Sequence, residues 1–357
     1  MSDPSPSGSF SFGRVLLFVV PLALVAWAVA SFSKPPAPEE RVDLQHTMFS
    51  RLLVRGESPT LDKSYQDADG DLAADAPQDP AKCVDPPEIV FSYVASSDAD
   101  DGAETWQEFI AALSERLKRP VKMTPFAFTE EQLRALKAGE LHLTAFSTGE
   151  VQSAVNTAGF VPLACFADED GAFHYTMKLI VPADSKIKKV EDLRGKRITY
   201  VRPRSNSGCT AALVMLMKDH GLQPERDYDW NFSYGHETSI KGVAAKEFEA
   251  AAVAGDILQR MTAAGQPPDD KVRVIYESSA YPSGAIGYVY NLTPELRDGI
   301  RETLLNFSWA GTGLEKTYGP SGSVKFVPVS YKDDWQPVRE INEAGAKIMA
   351  ELEKPAA

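Results

Sequence analysis

The chain has 357 residues, 43% hydrophobic and 24% charged, enough apolar material for a substantial core and two domains or lobes, which excludes a fibrous or wholly disordered protein. A formal net charge of -13 excludes long-range attraction of nucleic acid or anionic lipid, so any anionic ligand must be held by local dipoles. No glycine-rich P-loop, CxxC pair or HExxH motif occurs and the five histidines are scattered, so neither a metal nor a cofactor is expected.

Val15 to Ala30 (VLLFVVPLALVAWAVA) is uncharged and follows Arg14. Ala28-Val29-Ala30 has the small-residue pattern of a signal-peptidase site, whereas extension through Ser33 makes a short or tilted anchor. Either reading places the bulk of the chain outside the cytoplasm, because the cationic head precedes the apolar segment. Residues 34–87 turn to Pro, Asp, Ala and Ser and read as a flexible tether with a short helix near Met48 to Val54; such length favours an anchor over cleavage after Ala30. Cys83, Cys165 and Cys209 are an odd set that fixes no disulfide framework.

From Glu88 the elements alternate. Glu88 to Ala95 reads as a strand, Trp106, Phe109, Ile110, Leu113 and Leu117 as one face of a helix, and Val121 to Phe126 as a second strand. Thr129 and Gln132 predict a capping box for a helix that buries Leu133 and Leu136 and stops at Gly139, before a strand over Leu141 to Phe146. A helix over Gly149 to Ala158, a strand over Phe160 to Phe166 and a longer strand over Tyr175 to Val181 follow. A second set then begins: strand Arg197 to Val201, helix Ser207 to His220, strand Asp229 to Tyr234, helix His236 to Ala245, strand Ala250 to Ala254 and strand Lys271 to Glu277. Gly284 to Tyr290 reads as a return strand, and Pro294 to Phe307 and Asp334 to Glu353 as closing helices. The expected fold is therefore α/β with two lobes and a ligand cleft between them. Lobe 1 takes residues 88–180 and 285–357, lobe 2 takes 181–284, and the hinge falls near Leu179 to Pro182 and Ser279 to Ile286.

One junction carries chemistry. Ser205, Asn206, Ser207 and Gly208 stand between a strand and an apolar helix. A Ser or Asn there caps the helix through its side-chain oxygen. The same uncapped amides, dipole and hydroxyls also make a seat for a phosphate-like anion. Taken alone, the four residues read as a cap.

Ser185 to Gly208 (SKIKKVEDLRGKRITYVRPRSNSG), followed by Tyr234 to Val243 (YGHETSIKGV), resembles the phosphate, phosphite and phosphonate-binding proteins of ABC importers, the PhnD-like group of the type II periplasmic-binding-protein fold. The resemblance covers roughly Glu88 to Asn342. It implies that Ser205, Asn206, Ser207 and Gly208 hold an oxyanion at the helix N-terminus, that His236 donates to a ligand oxygen, and that Thr148 of the AFSTG loop contributes from the opposite wall. It further implies that Tyr175 and Tyr93 face the cleft, and that no covalent chemistry occurs. Asn206 replaces the usual threonine, Val151 replaces a nearby tyrosine, and Glu249 replaces a strand aspartate. Asp256 keeps, by spacing, one of the acidic groups that aminophosphonate-binding members place near the ligand amine, whereas Gly284 falls where a second is expected. The implied ligand is thus phosphate, phosphite or a simple phosphonate, the implied partner an ABC permease, and the protein is expected to act as a monomer. Two alternatives stand beside this: a membrane-tethered sensor of another small anion, and an enzyme using Cys209 at the helix N-terminus with His174 or His236 as base.

Overall fold

The computed structural model describes residues 60–93, 102–126, 128–267 and 269–352. The Val15 to Ala30 segment and the first part of the tether lie outside the described residues, and among the described residues no helix is long and apolar enough to cross a membrane.

Two sheets organise the chain. The first has the order β11-β4-β10-β3-β1-β2 and is built from β1 (Ile89–Ser92), β2 (Val121–Met123), β3 (Leu143–Phe146), β4 (Phe160–Ala167), β10 (Ala285–Val289) and β11 (Lys325–Pro328). The second has the order β7-β6-β8-β5-β9, with β5 (His174–Pro182), β6 (Arg197–Tyr200), β7 (Asp229–Phe232), β8 (Ala250–Ala254) and β9 (Val272–Pro282). In each sheet a run of three strands is parallel: β1 pairs with β2 and β3, and β6 with β7 and β8. The remaining neighbours pair antiparallel.

Each parallel strand feeds a helix. In the first sheet these are α1 (Ala103–Leu117), α2 (Thr129–Ala138) and α3 (Val151–Ala158); in the second, α4 (Ala211–His220), α5 (His236–Ala244) and α6 (Gly255–Ala263). Four more, α7 (Pro294–Asn306), α8 (Gly313–Tyr318), α9 (Tyr331–Asp334) and α10 (Gln336–Leu352), complete the fold. The core follows the sequence pattern. Trp106, Phe109, Leu113 and Leu117 bury one face of α1, and all five residues of β8 are buried, as expected of a central strand covered on both sides.

Several elements differ from the sequence reading. The capping box at Thr129 does not form: Phe128 is the N-cap, the Thr129 hydroxyl donates to the Glu150 carboxylate at 2.6 Å, and the buried Gln132 amide donates to the Ala145 carbonyl at 3.0 Å and to the Thr144 hydroxyl. Tertiary acceptors took both side chains from the local motif. Strand β5 pairs along its length with β9 and lies wholly in the second sheet, so the first crossing between sheets falls at residues 168–173, upstream of Leu179 to Pro182. The return crossing, between Pro282 and Ala285, lies where the sequence placed it. Helix α6 and strand β11 were not assigned from sequence. Residues 60–87, at the end of the range read as tether, lie against the first-sheet side: Tyr65 packs edge-on to Tyr290 at 5.0 Å, the Asp62 amide donates to the Asn156 carbonyl at 2.9 Å, and Ala73 and Ala74 are buried.

The two sheet systems meet at backbone distance. A Cβ added to Gly149, which follows β3, would sit 2.0 Å from the Arg204 carbonyl oxygen of the turn after β6. Nearby, the Arg204 guanidinium pairs with Glu130 at 3.1 Å and the Thr148 hydroxyl donates to the Pro282 carbonyl at 2.9 Å. The C-terminal elements span the same junction: the Trp335 indole donates to the Thr148 carbonyl at 3.1 Å, Asn342 donates to Gln152 at 2.9 Å, and Gly345 lies beside Thr210 and Val214. Gly149→Ala is therefore expected to lower unfolding stability by about 1–3 kcal/mol, as overpacking does, and to hold the two sides apart. Thermal melts and small-angle scattering of the variant check both effects.

Candidate functional site

The carboxyl ends of the parallel strands of both sheets face one cleft of about 430 Å³. Tyr93 follows β1, the loop Ser147 to Gly149 follows β3, Arg202 and Ser205 to Ser207 follow β6, Tyr234 to His236 follow β7, and Asp256 follows β8; all line it. Ligands of open α/β sheets bind at such ends, because helix N-termini gather there.

The Ser205 to Ser207 turn caps a helix and lines the cleft. Ser205 is the N-cap, its hydroxyl accepting from the Gly208 amide at 3.1 Å. The helix then opens with wide-pitched bonds, Thr210 N–H to the Ser205 carbonyl at 3.0 Å and Ala211 N–H to the Asn206 carbonyl. Such a π-turn is rare and recurs at functional sites. Asn206 and Ser207 are buried against the cleft, at the end of a helix that has no carbonyl of its own to offer their amides. Gly208 does not line the cleft: its α-carbon is pressed on Val201, where an added Cβ would lie 2.6 Å from the valine side chain, so it serves packing rather than contact.

Around the turn stand fixed polar groups. The Tyr175 hydroxyl lies 3.3 Å from the Asn206 amide nitrogen and beside the hydroxyls of Thr148 and Ser207; burial pushes the phenol up, so it stays protonated. The Asn206 amide oxygen is buried without a partner. At the start of α5 the Ala254 amide donates to His236 Nδ1 at 3.0 Å. Nδ1 is thus the acceptor and the ring proton sits on Nε2, where it can only donate. Burial, helped by the Arg202 charge, holds the imidazolium down to a pKa of about 3. Helices α5 and α6 have no side-chain cap, so with α4 three N-termini converge on the cleft.

The other expected residues divide. Thr148 reaches the cleft, but its hydroxyl proton is given to Pro282. Tyr93 lines the cleft through a ring packed on Trp106 and stacked on Phe166 at 6.0 Å. Asp256 stands in the first turn of α6, and burial pushes its carboxyl up. Glu249 precedes β8 at the end away from the cleft, accepting from the Arg197 amide at 2.9 Å, so it is a surface carboxylate. Gly284 lines the cleft, and a Cβ there would lie 2.6 Å from the Phe146 carbonyl, which leaves no room for a second acid. All three cysteines are free; Cys209 is buried with its thiol pushed up by desolvation, which removes the thiolate an enzyme would need. Sequence reading missed Arg202 and Arg260, both of which line the cleft. Arg202 carried a signal, a cation three residues before the cap; Arg260 carried none, because its helix was not assigned.

Because His236 is neutral in the folded protein down to about pH 3 but protonates near pH 6.5 when unfolded, the unfolded state binds more protons between those values. Its contribution to stability is lost as pH falls from about 6.5 toward 3. Urea titrations at pH 7 and pH 4.5 are expected to show a smaller acid loss in His236→Gln than in the parent.

Comparison with known proteins agrees with this geometry. Residues 91–335 match the family described as ABC transporter, phosphonate, periplasmic substrate-binding protein. The chain is 22% identical over 223 residues to the phosphonates-binding periplasmic protein of Escherichia coli, covering 61% of this chain and 65% of that protein, just under two thirds of its length. It is 21% identical to the phosphate-import protein PhnD of Mycolicibacterium smegmatis, covering 64% of this chain and 74% of the relative. Among solved structures, a binding component of an ABC phosphonate transporter from Pseudomonas aeruginosa superposes with a TM-score of 0.61 at 20% identity, covering 75% of this chain and 95% of that one. PhnD1 of Prochlorococcus marinus, solved with methylphosphonate, does so at 0.61 and 16% identity, covering 72% and 98%. Fold, cleft and family match coincide over the same residues, and the chain belongs to the periplasmic substrate-binding proteins of phosphonate ABC transporters.

Proposed function

We propose that the protein captures a phosphorus oxyanion, namely phosphate, phosphite or a simple phosphonate, in the cleft between its sheets and delivers it to an ABC permease. The observation that carries this reading is that three helix N-termini, a neutral His236 with its proton on Nε2 and the Tyr175 hydroxyl all line one cleft. A desolvated dianion needs several fixed donors, and helix ends and neutral side chains supply them without reorganising. The relatives support the ligand class by name: one is called phosphonates-binding, one imports phosphate, and one structure holds methylphosphonate.

The Ser205 to Ser207 turn, His236 and Tyr175 form the ligand wall on the second-sheet side. Thr148 and Tyr93 face it from the first, Thr148 by positioning Tyr175 and Tyr93 by its aromatic surface. Closure follows if the ligand makes contacts to both sides that the open state cannot offer. Val15 to Ala30 anchors the protein outside the cytoplasm, and it works as a monomer. With the crossings at residues 168–173 and 283–284, lobe 1 takes the first sheet with its helices and lobe 2 the second. The absence of room for an acid at Gly284 favours simple phosphonates over aminophosphonates.

Calorimetric titration with phosphate, phosphite, methylphosphonate, 2-aminoethylphosphonate and sulfate tests the reading. Binding of at least one of the first three at micromolar affinity or better is expected, weakened roughly tenfold or more by Ser207→Ala, as for a lost hydrogen bond to a charged group. Tight binding of 2-aminoethylphosphonate without phosphite or methylphosphonate binding would overturn the ligand choice, and silence across the panel would overturn the oxyanion reading itself.

A further inference from the structure

The cleft holds two arginines, and they differ. Arg260 is spent: its guanidinium pairs with Glu237 at 3.0 Å, both side chains largely buried. Arg204, next to the seat turn, is likewise committed to Glu130. Arg202 lines the cleft, is half-buried, and its guanidinium makes no hydrogen bond or ion pair with any other described residue. Its backbone is nonetheless pinned to the seat. The Arg202 carbonyl accepts from the Ser205 amide at 3.2 Å, and the neighbouring Val201 donates to Gly208 at 2.8 Å and accepts from Tyr234 at 2.8 Å. The side chain therefore starts between the turn after β6 and the N-terminus of α5, with His236 within reach of its field.

A half-buried guanidinium left without a counter-ion gives up hydration and gains nothing for it, unless an anion joins it. The other charged or titratable groups facing the cleft are Asp168 of the crossing segment, His174 at the start of β5, His236, Asp256 and Arg260 of α6, and the phenols of Tyr93, Tyr175, Tyr234 and Tyr318. Neither aspartate pairs with Arg202, and His236 is uncharged. In a chain of net charge -13, Arg202 is then the full positive charge in the cleft that is not already neutralised by a described residue. Three helix ends, each equivalent to roughly half a charge, leave part of a dianion's charge unmatched, and a guanidinium fork can match the rest.

Resting on the oxyanion reading above, we propose that Arg202 is a ligand contact that sets specificity by charge, selecting doubly ionised phosphorus oxyanions over singly charged anions of the same shape. The consequence is a binding curve governed by the ionisation of the ligand. Affinity rises with pH as the ligand acquires its second charge, while His236 contributes no step near neutrality.

The test uses the full-length protein, its Arg202→Gln and Arg202→Lys variants and Ser207→Ala, titrated with methylphosphonate and with methanesulfonate, a singly charged mimic of similar shape, from pH 5.5 to pH 9. The expected result is a rise of methylphosphonate affinity across its second ionisation in the parent. In Arg202→Gln that affinity falls roughly tenfold to a hundredfold, the rise flattens and the preference over methanesulfonate shrinks. Arg202→Lys keeps the rise, because it keeps the charge. Parental affinity and pH profile in Arg202→Gln, alongside weakened binding in Ser207→Ala, would overturn the proposal and leave the oxyanion seat standing. Equal weakening of both ligands by Arg202→Gln, with the pH rise intact, would also overturn it, since a merely structural residue acts that way. No binding of methylphosphonate to the parent would overturn the proposal, and the phosphate and phosphite titrations of the previous section then decide whether the oxyanion reading falls with it.

Discussion

The proposed capture of an oxyanion turns on the cost of placing a small, strongly hydrated anion inside a protein that is itself negative. Net charge cannot meet that cost, because the long-range field of a chain with net charge -13 opposes any anion. Fixed local dipoles can. Both sheets send the carboxyl ends of their parallel strands to one place, and each strand there hands over to a helix whose first amides have no partner within the helix. The cleft gathers partial positive charge from backbone that the fold has already ordered.

The polar side chains refine that field instead of creating it. His236 is made a pure donor by a single backbone amide, that of Ala254, which fills its other nitrogen. Tyr175 crosses from the long strand β5 to the seat turn, so an element paired deep in the second sheet places a hydroxyl at the turn after β6. Gly149 allows the opposite wall to come within backbone contact of the seat, and Trp335 fixes the carbonyl of the adjacent Thr148. Each device is small and each depends on a neighbour from another part of the chain.

The site was legible in the sequence to the extent that its chemistry is local. Ser205 to Gly208 stood out as four small residues between a strand and an apolar helix, and His236 stood at a helix start. Tyr175, Tyr93, Thr148 and Asp256 were named from the family resemblance, and all line the cleft. Glu249, named from a motif position before β8, lies at the end of that strand away from the cleft, whereas Asp256 follows the strand and lines it; the strand, about 17 Å long at 3.3 Å per residue, separates them. Gly208 belongs to the motif but faces Val201. Arg202 was passed over because a cation near a turn has no meaning until its possible counter-ions are located.

By itself the sequence determined the α/β alternation, most of the strands and helices, the apolar faces that form the core and the small-residue turn that opens α4, because periodicity, capping and turn chemistry act within one or two turns of chain. The tertiary structure alone decided that β5 belongs to the second sheet, that Thr129 and Gln132 serve distant acceptors instead of a helix cap, that the Cys209 thiol is buried and held protonated, and that Arg202 has no counter-ion among the described residues while Arg204 and Arg260 have theirs. Those outcomes depend on which groups, far apart in the chain, compete for the same hydrogen bond, the same charge or the same buried volume, and that competition is settled only when the two sheets meet.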